Sequence, residues 1–410
     1  MFFTFTFRFL INTILMSCCL IFNFSQAALL VNDKIIYSPD RDANDWGYQI
    51  KIQNDKMLVS NYAMIDGFGR AGSVDYYQNS DGEGWVFKQR IEPPMDLSFE
   101  TGLLSFGKTA LDNERLLIGA TWADVGNPLG GGDFQQDAGK VFLYTYNMIT
   151  NKWDFDVGFQ ASDAAKVDAY ARPVFADAHV IIGASLKDIE DLDNAGAVYI
   201  YSQNSGEDWQ EIQKLESTAL ASSSYFGRHI YRCENEFFVS ASNVLNDPSS
   251  DGVKRSGVYI YEQGEDDFWS QKKLLLSDTE YSGDNFGRKL LCDSNRLIIS
   301  AFQEDTDQTD DEDNQNGAVH FYFKNSEGNW EFQQKIVGVR SFENSRRNKA
   351  NRFGQGMAWE GDILLISENI SYGNRGEGVI HQYVYDTENK LWNIVQSLTS
   401  IEPAKFSSAY

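Results

Sequence analysis

Basic residues, cysteine, histidine and proline are all scarce in this sequence, and each scarcity removes a class of protein. Lys and Arg number 35 against 59 Asp and Glu, a formal charge of −24 over 410 residues. Phosphate backbones are met by a basic face, so no nucleic acid is expected as a partner. Four cysteines cannot knit a dense disulfide scaffold. Four histidines are present, but no His-Glu-x-x-His, Gly-x-Ser-x-Gly or P-loop occurs. Gly67-Phe68-Gly69-Arg70-Ala71-Gly72 spells a dinucleotide fingerprint, yet it lies between two strand signals and opens no helix. A hydrophobic share of 42% is too large for a disordered acidic chain.

Residues 1–27 have the make-up of a signal peptide: one positive charge at Arg8, an apolar run from Phe9 to Phe24, and Ser25-Gln26-Ala27 at the end. A retained anchor, or a lipobox around Cys18, is the alternative reading. Residues 28–410 contain no run near the ~20 apolar residues of a membrane helix. The mature chain is expected to be secreted or periplasmic and to lack a membrane span. Only Cys233 and Cys292 then remain. An oxidising compartment would permit a bridge between them.

What is abundant is a repeat. Trp85, Trp153, Trp209, Trp269, Trp330 and Trp392 recur at intervals near sixty residues. Upstream of each, Gly opens an apolar-aromatic strand: Gly72, Gly139, Gly196, Gly257, Gly317 and Gly378. Further upstream lie short apolar runs, such as Leu116-Leu117-Ile118-Gly119-Ala120, each preceded by Phe-Gly or a variant: Trp46-Gly47, Phe106-Gly107, Tyr170-Ala171, Phe226-Gly227, Phe286-Gly287 and Phe353-Gly354. Every repeat thus carries four strand signals. Strand two is apolar throughout, as when both faces are buried. Strand four alternates, as Trp209, Ile212 and Leu215 do, like a half-exposed strand. These features predict an all-β chain folded as a single β-propeller of six four-stranded blades. Seven blades is the alternative, because residues 33–39 hold one further strand-like piece.

The order Phe-Gly, apolar strand, Gly-x-Val-x-x-Tyr resembles the FG-GAP repeat of integrin α heads and of secreted bacterial proteins. It is clearest in residues 106–120 and 285–301. Repeat three departs, with Tyr170-Ala171-Arg172 in place of Phe-Gly. The link between strands one and two is about four residues, too short for the calcium loop of the integrin type. The resemblance implies the fold and does not carry those metal sites over.

Several residues are candidates for function. The residue after Phe-Gly is Tyr48, Lys108, Arg172, Arg228, Arg288 or Gln355, so four of six are basic in an acidic chain. Strand one lines a propeller axis, and there Lys108, Arg172, Arg228 and Arg288 would form a collar. The first expectation is that each pairs with a carboxylate of a neighbouring blade. The second is that they hold a ligand's anion. Asp305, Asp307, Asp310, Asp311 and Asp313 sit in an acidic loop that is either simply solvated or a Ca²⁺ site. No other cofactor is expected. His320 and His381 share one strand position and are expected to make ordinary hydrogen bonds. A disulfide needs Cα atoms within about 7 Å. That is a tight demand on Cys233 and Cys292, at nearly equivalent places in neighbouring blades, so free thiols are expected first. The function expected is binding or adhesion, to a protein or glycan, through the loop face. A polysaccharide hydrolase or lyase at the channel mouth, and an envelope scaffold, are the alternatives.

Overall fold

A computed structural model describes residues 44–63, 65–66, 69–70, 72–80, 84–94, 105–126, 134–203, 208–217, 219–245, 254–279, 282–305, 316–338, 352–372 and 375–399. The expected signal peptide, residues 33–39, and Asp307, Asp310, Asp311 and Asp313 lie outside them. The described chain is a β-propeller of six four-stranded antiparallel blades. Strand one of blades 1 to 6 is Asn44–Gln53, Phe106–Asp112, Tyr170–Ala176, Ile230–Cys233, Leu290–Cys292 and Met357–Glu360. Strand two is Lys56–Ala63, Arg115–Ala120, His179–Ala184, Glu236–Leu245, Arg296–Ala301 and Ile363–Tyr372. Strand three is Ser73–Ser80, Lys140–Asn147, Ala197–Gln203, Lys254–Gln263, Ala318–Lys324 and Arg375–Asp386. Strand four is Gly84–Ile91, Lys152–Phe159, Trp209–Leu215, Trp269–Leu276, Trp330–Val337 and Leu391–Thr399. One 3₁₀ turn, Ser282–Asp284, is the helical content among the described residues.

The apolar strand two is buried on both faces, as expected: Leu116, Leu117 and Ile118 are inaccessible to solvent, and so are Val180, Ile181 and Ile182. Five apolar clusters join consecutive blades, from blades 1 and 2 through blades 5 and 6. Close backbone contact explains why Gly and Phe-Gly recur together. A Cβ on Gly72 would lie 2.2 Å from the Phe106 carbonyl oxygen of the next blade, and one on Gly196 2.2 Å from that of Phe226. Only glycine permits this approach.

Strand four differs from the simple alternation expected. In every blade its register against strand three slips once, at the same place, from Tyr76/Tyr77 in blade 1 to Gln382/Tyr383 in blade 6. One extra residue in a strand reverses the facing of all that follow. Trp153 therefore packs toward blade 1 and Phe159 toward blade 3. Likewise Trp269 packs toward blade 3 and Leu275 toward blade 5. Side chains add a clasp between neighbours. Gln89 accepts from the Trp153 N–H at 2.8 Å and donates to its carbonyl at 3.0 Å. Gln213 does the same with Trp269, and Gln334 with Trp392. Cys233 and Cys292 join blades 4 and 5 as a disulfide, with Cα atoms 6.0 Å apart. The expected difficulty of distance does not arise.

Candidate functional site

A cavity of about 590 Å³ lies on the axis, walled by strand one of blades 1 to 4; Gln49, Lys51, Lys108, Arg172, Arg228 and His229 are among its lining residues. Arg228 and Arg288 also share a smaller recess with Tyr225 and His229. The four basic residues singled out in the sequence therefore converge. Lys108 Nζ donates to the Tyr48 hydroxyl at 2.8 Å. Arg228 lies 5.6 Å from the Tyr225 ring centre and Arg288 5.3 Å from that of Phe302, both as cation–π contacts.

Their charges act on one another. Burial, followed by the charges of Arg172 and Arg288, brings the Lys108 ammonium down to about 7. Burial and the Arg228 charge lower both the Arg172 and Arg288 guanidinium groups. His229 is held well below its ordinary value, first by burial and then by Arg172, Arg288, Arg228 and Lys108. Among the described residues, no carboxylate lies within salt-bridge distance of the Arg172, Arg228 or Arg288 guanidinium. The expectation of arginine–carboxylate staples at these positions is thus corrected. Such staples are found at the opposite end of strand one. There Arg232 pairs with Asp177 of the preceding blade, and Arg296 meets Asp362 of the following blade at 2.9 Å.

The collar is not one place per blade, as the repeat implied. Lys108 and Arg172 stand in register, paired with Gly119 and Gly183 of strand two. Blades 1, 4, 5 and 6 insert one more residue after the glycine. Tyr48, Arg228, Arg288 and Gln355 sit in that insertion, and Gln49, His229, Lys289 and Gly356 take the register place. His229 and Lys289 escaped the sequence reading for this reason. A count from Phe-Gly lands one residue short of them.

Of the acidic-loop candidates, Asp305 alone is among the described residues. Nearby, Asp278, Glu304 and His320 could together offer three ligand atoms to a metal. Lys335 is paired with Glu304 and lies 3.0 Å from Asp278, while His320 Nε2 lies 2.6 Å from Glu304. His381 lies 2.8 Å from both Glu368 and Ser397. Both strand-face histidines thus make ordinary hydrogen bonds.

No family model matches the chain, and no curated protein matches it in sequence. Solved structures do resemble it. A functionally unknown protein from Desulfotomaculum acetoxidans is 12% identical over 86% of this chain and 85% of its own, with a TM-score of 0.47. The β-propeller domain of the trilobed protease from Pyrococcus furiosus is 8% identical over 86% and 93%, with a TM-score of 0.41. An α-L-arabinofuranosidase from Fusarium graminearum is 10% identical over 82% and 91%, with a TM-score of 0.41.

Proposed function

We propose that the protein is a binding module of the FG-GAP propeller type, exported from the cytoplasm, that takes an anionic group of a protein or glycan ligand into its channel mouth. The observation that carries this reading is the collar itself: Arg172, Arg228 and Arg288 converge with Lys108 and have no carboxylate of the described chain beside them. Cations held together and partly desolvated favour an incoming carboxylate, which arginine grips with paired hydrogen bonds. Titration calorimetry tests it, with a trisaccharide bearing one uronic acid against its carboxyl-reduced counterpart. Arg228→Ala and Arg288→Ala should each weaken acid binding about tenfold or more, an interaction worth ~1.4 kcal/mol per decade. Neither should lower the melting temperature of the free protein. Unchanged binding with a large loss of stability would overturn the proposal. Export is checked separately, by N-terminal sequencing of the secreted chain, which should begin at Ala28.

A second reading, an enzyme acting on acidic polysaccharide, is favoured by one detail. Lys108 is tuned near neutrality and touches the Tyr48 hydroxyl, so the wall holds a group able to exchange a proton at neutral pH. Shortened products from an acidic oligosaccharide would decide for it.

A further inference from the structure

Lysines packed into this fold meet two kinds of surroundings. Lys187, Lys272 and Lys335 each lie 3.0 Å from a carboxylate, at Asp168, Glu236 and Asp278. A carboxylate at that distance holds an amine in its charged form. Lys108, on the channel wall, meets a phenol: Nζ donates to the Tyr48 hydroxyl at 2.8 Å and lies 4.3 Å from the centre of the same ring. Backbone contact then sets arginines beside it. Lys108 pairs with Gly119 of its own blade, and a Cβ on Gly119 would lie 2.1 Å from the Ala171 carbonyl oxygen, one residue before Arg172. Arg172 pairs in turn with Gly183, where a Cβ would lie 2.1 Å from the Gly227 carbonyl oxygen, one residue before Arg228. The two glycines let strand one of each blade press on the blade before it. Lys108, Arg172 and Arg228 thereby stand side by side along the cavity of about 590 Å³. With the amine brought to about 7 by burial and then by Arg172 and Arg288, about half of it is uncharged at neutral pH. A desolvated lysine next to other cations is an activated nucleophile.

We propose that Lys108 captures the carbonyl carbon of a 2-oxo acid as a reversible imine, while the arginines beside it hold the acid's carboxylate. The proposal rests on the anionic-ligand reading and narrows it to an acid that also carries a ketone or aldehyde. A 2-oxo acid has its carboxylate and its carbonyl on adjacent carbons, which matches a guanidinium and an amine that adjoin on one wall. The Nζ lone pair attacks the carbonyl carbon, and the C=O π pair moves to oxygen. That oxygen takes up a proton and the nitrogen gives one up, leaving a carbinolamine. The nitrogen pair then forms C=N as the C–O bond breaks, and the hydroxyl leaves with a proton as water. One amine and one carbonyl give one imine and one water, with no oxidant or reductant. A phenol both accepts and donates, so the Tyr48 hydroxyl, 2.8 Å from Nζ, is placed to carry the proton from nitrogen to oxygen. A bound carboxylate returns part of the amine's charge; attack proceeds from the neutral fraction, and imine formation consumes it.

Reductive trapping tests this on the full, unsubstituted chain. The protein is incubated with pyruvate and cyanoborohydride at pH 7.5, digested, and mapped by mass spectrometry. A reduced adduct is expected at Lys108, about tenfold or more above any other lysine, because an ordinary amine is almost wholly protonated there. Acetone, which has the carbonyl without the acid, should label Lys108 about tenfold more slowly, the loss of an interaction worth ~1.4 kcal/mol. Lactate, which has the acid without the carbonyl, should slow labelling by pyruvate. No adduct, an adduct spread evenly over the lysines, or acetone labelling as fast as pyruvate would overturn the proposal. Calorimetry with the uronic acid trisaccharide keeps the two readings apart. Trisaccharide binding without a pyruvate adduct removes the imine alone, whereas the absence of both removes the anionic-ligand reading as well.

Discussion

Lys108 shows what rotational repetition does to one side chain. An ordinary surface lysine titrates near 10.5, but this one is brought to about 7, first because it is buried and then because Arg172 and Arg288 beside it are also cations. Between those two values the unfolded chain binds more protons than the folded one, so the contribution of this site to stability grows as pH rises through that window. Relative to Lys108→Met, the wild-type melting temperature should therefore climb from pH 7 to 9. An anion reverses the balance and recharges the amine. Binding near pH 7.5 should take up protons, seen as a calorimetric heat that varies with the buffer's ionisation enthalpy. Lys108, Arg172, Arg228 and Arg288 were legible in the sequence because each follows a fixed motif. His229, whose ring they depress, was not: the insertion before strand one in blades 1, 4, 5 and 6 has no letter of its own.

Strand four carries the second hidden device. Four strands per repeat, their order, and the apolar strand two could all be read from spacing. The slip in strand four could not, because an apolar residue six positions after Trp fits a plain alternation just as well. Its effect is to let one strand staple two neighbours, one on each side. In blade 2 the extra residue is Asp156, exposed and unpaired with strand three between Phe155 and Val157. Asp156→Ala should be close to neutral. Deleting Asp156 should turn Phe159 off its cluster and cost about as much as removing a buried phenylalanine, roughly 3–5 kcal/mol by urea denaturation. The glutamine clasp makes a smaller claim. Gln213→Ala leaves the Trp269 N–H and carbonyl without their partner and should cost about 1–3 kcal/mol on the same scale.

Taken whole, the molecule is a chain of blades, each held chiefly by its neighbours. The Cys233–Cys292 bond crosses one junction and closes a 59-residue separation. Replacing both by serine should lower stability by about 2–4 kcal/mol, measured by denaturant midpoint under non-reducing conditions. The collar has a further consequence at this scale, for traffic rather than affinity. Its cations are recessed inside a body of net charge −24. An approaching anion feels repulsion first and attraction only after entry. Salt weakens fields beyond a Debye length of about 10 Å at 0.1 M, and touches enclosed contacts much less. Added salt should thus speed association in stopped-flow experiments, the reverse of an electrostatically steered pair. On the proposed function, the channel would act as a sieve on charge distribution, admitting a ligand with one acid at its tip and turning away a densely charged polymer before it arrives.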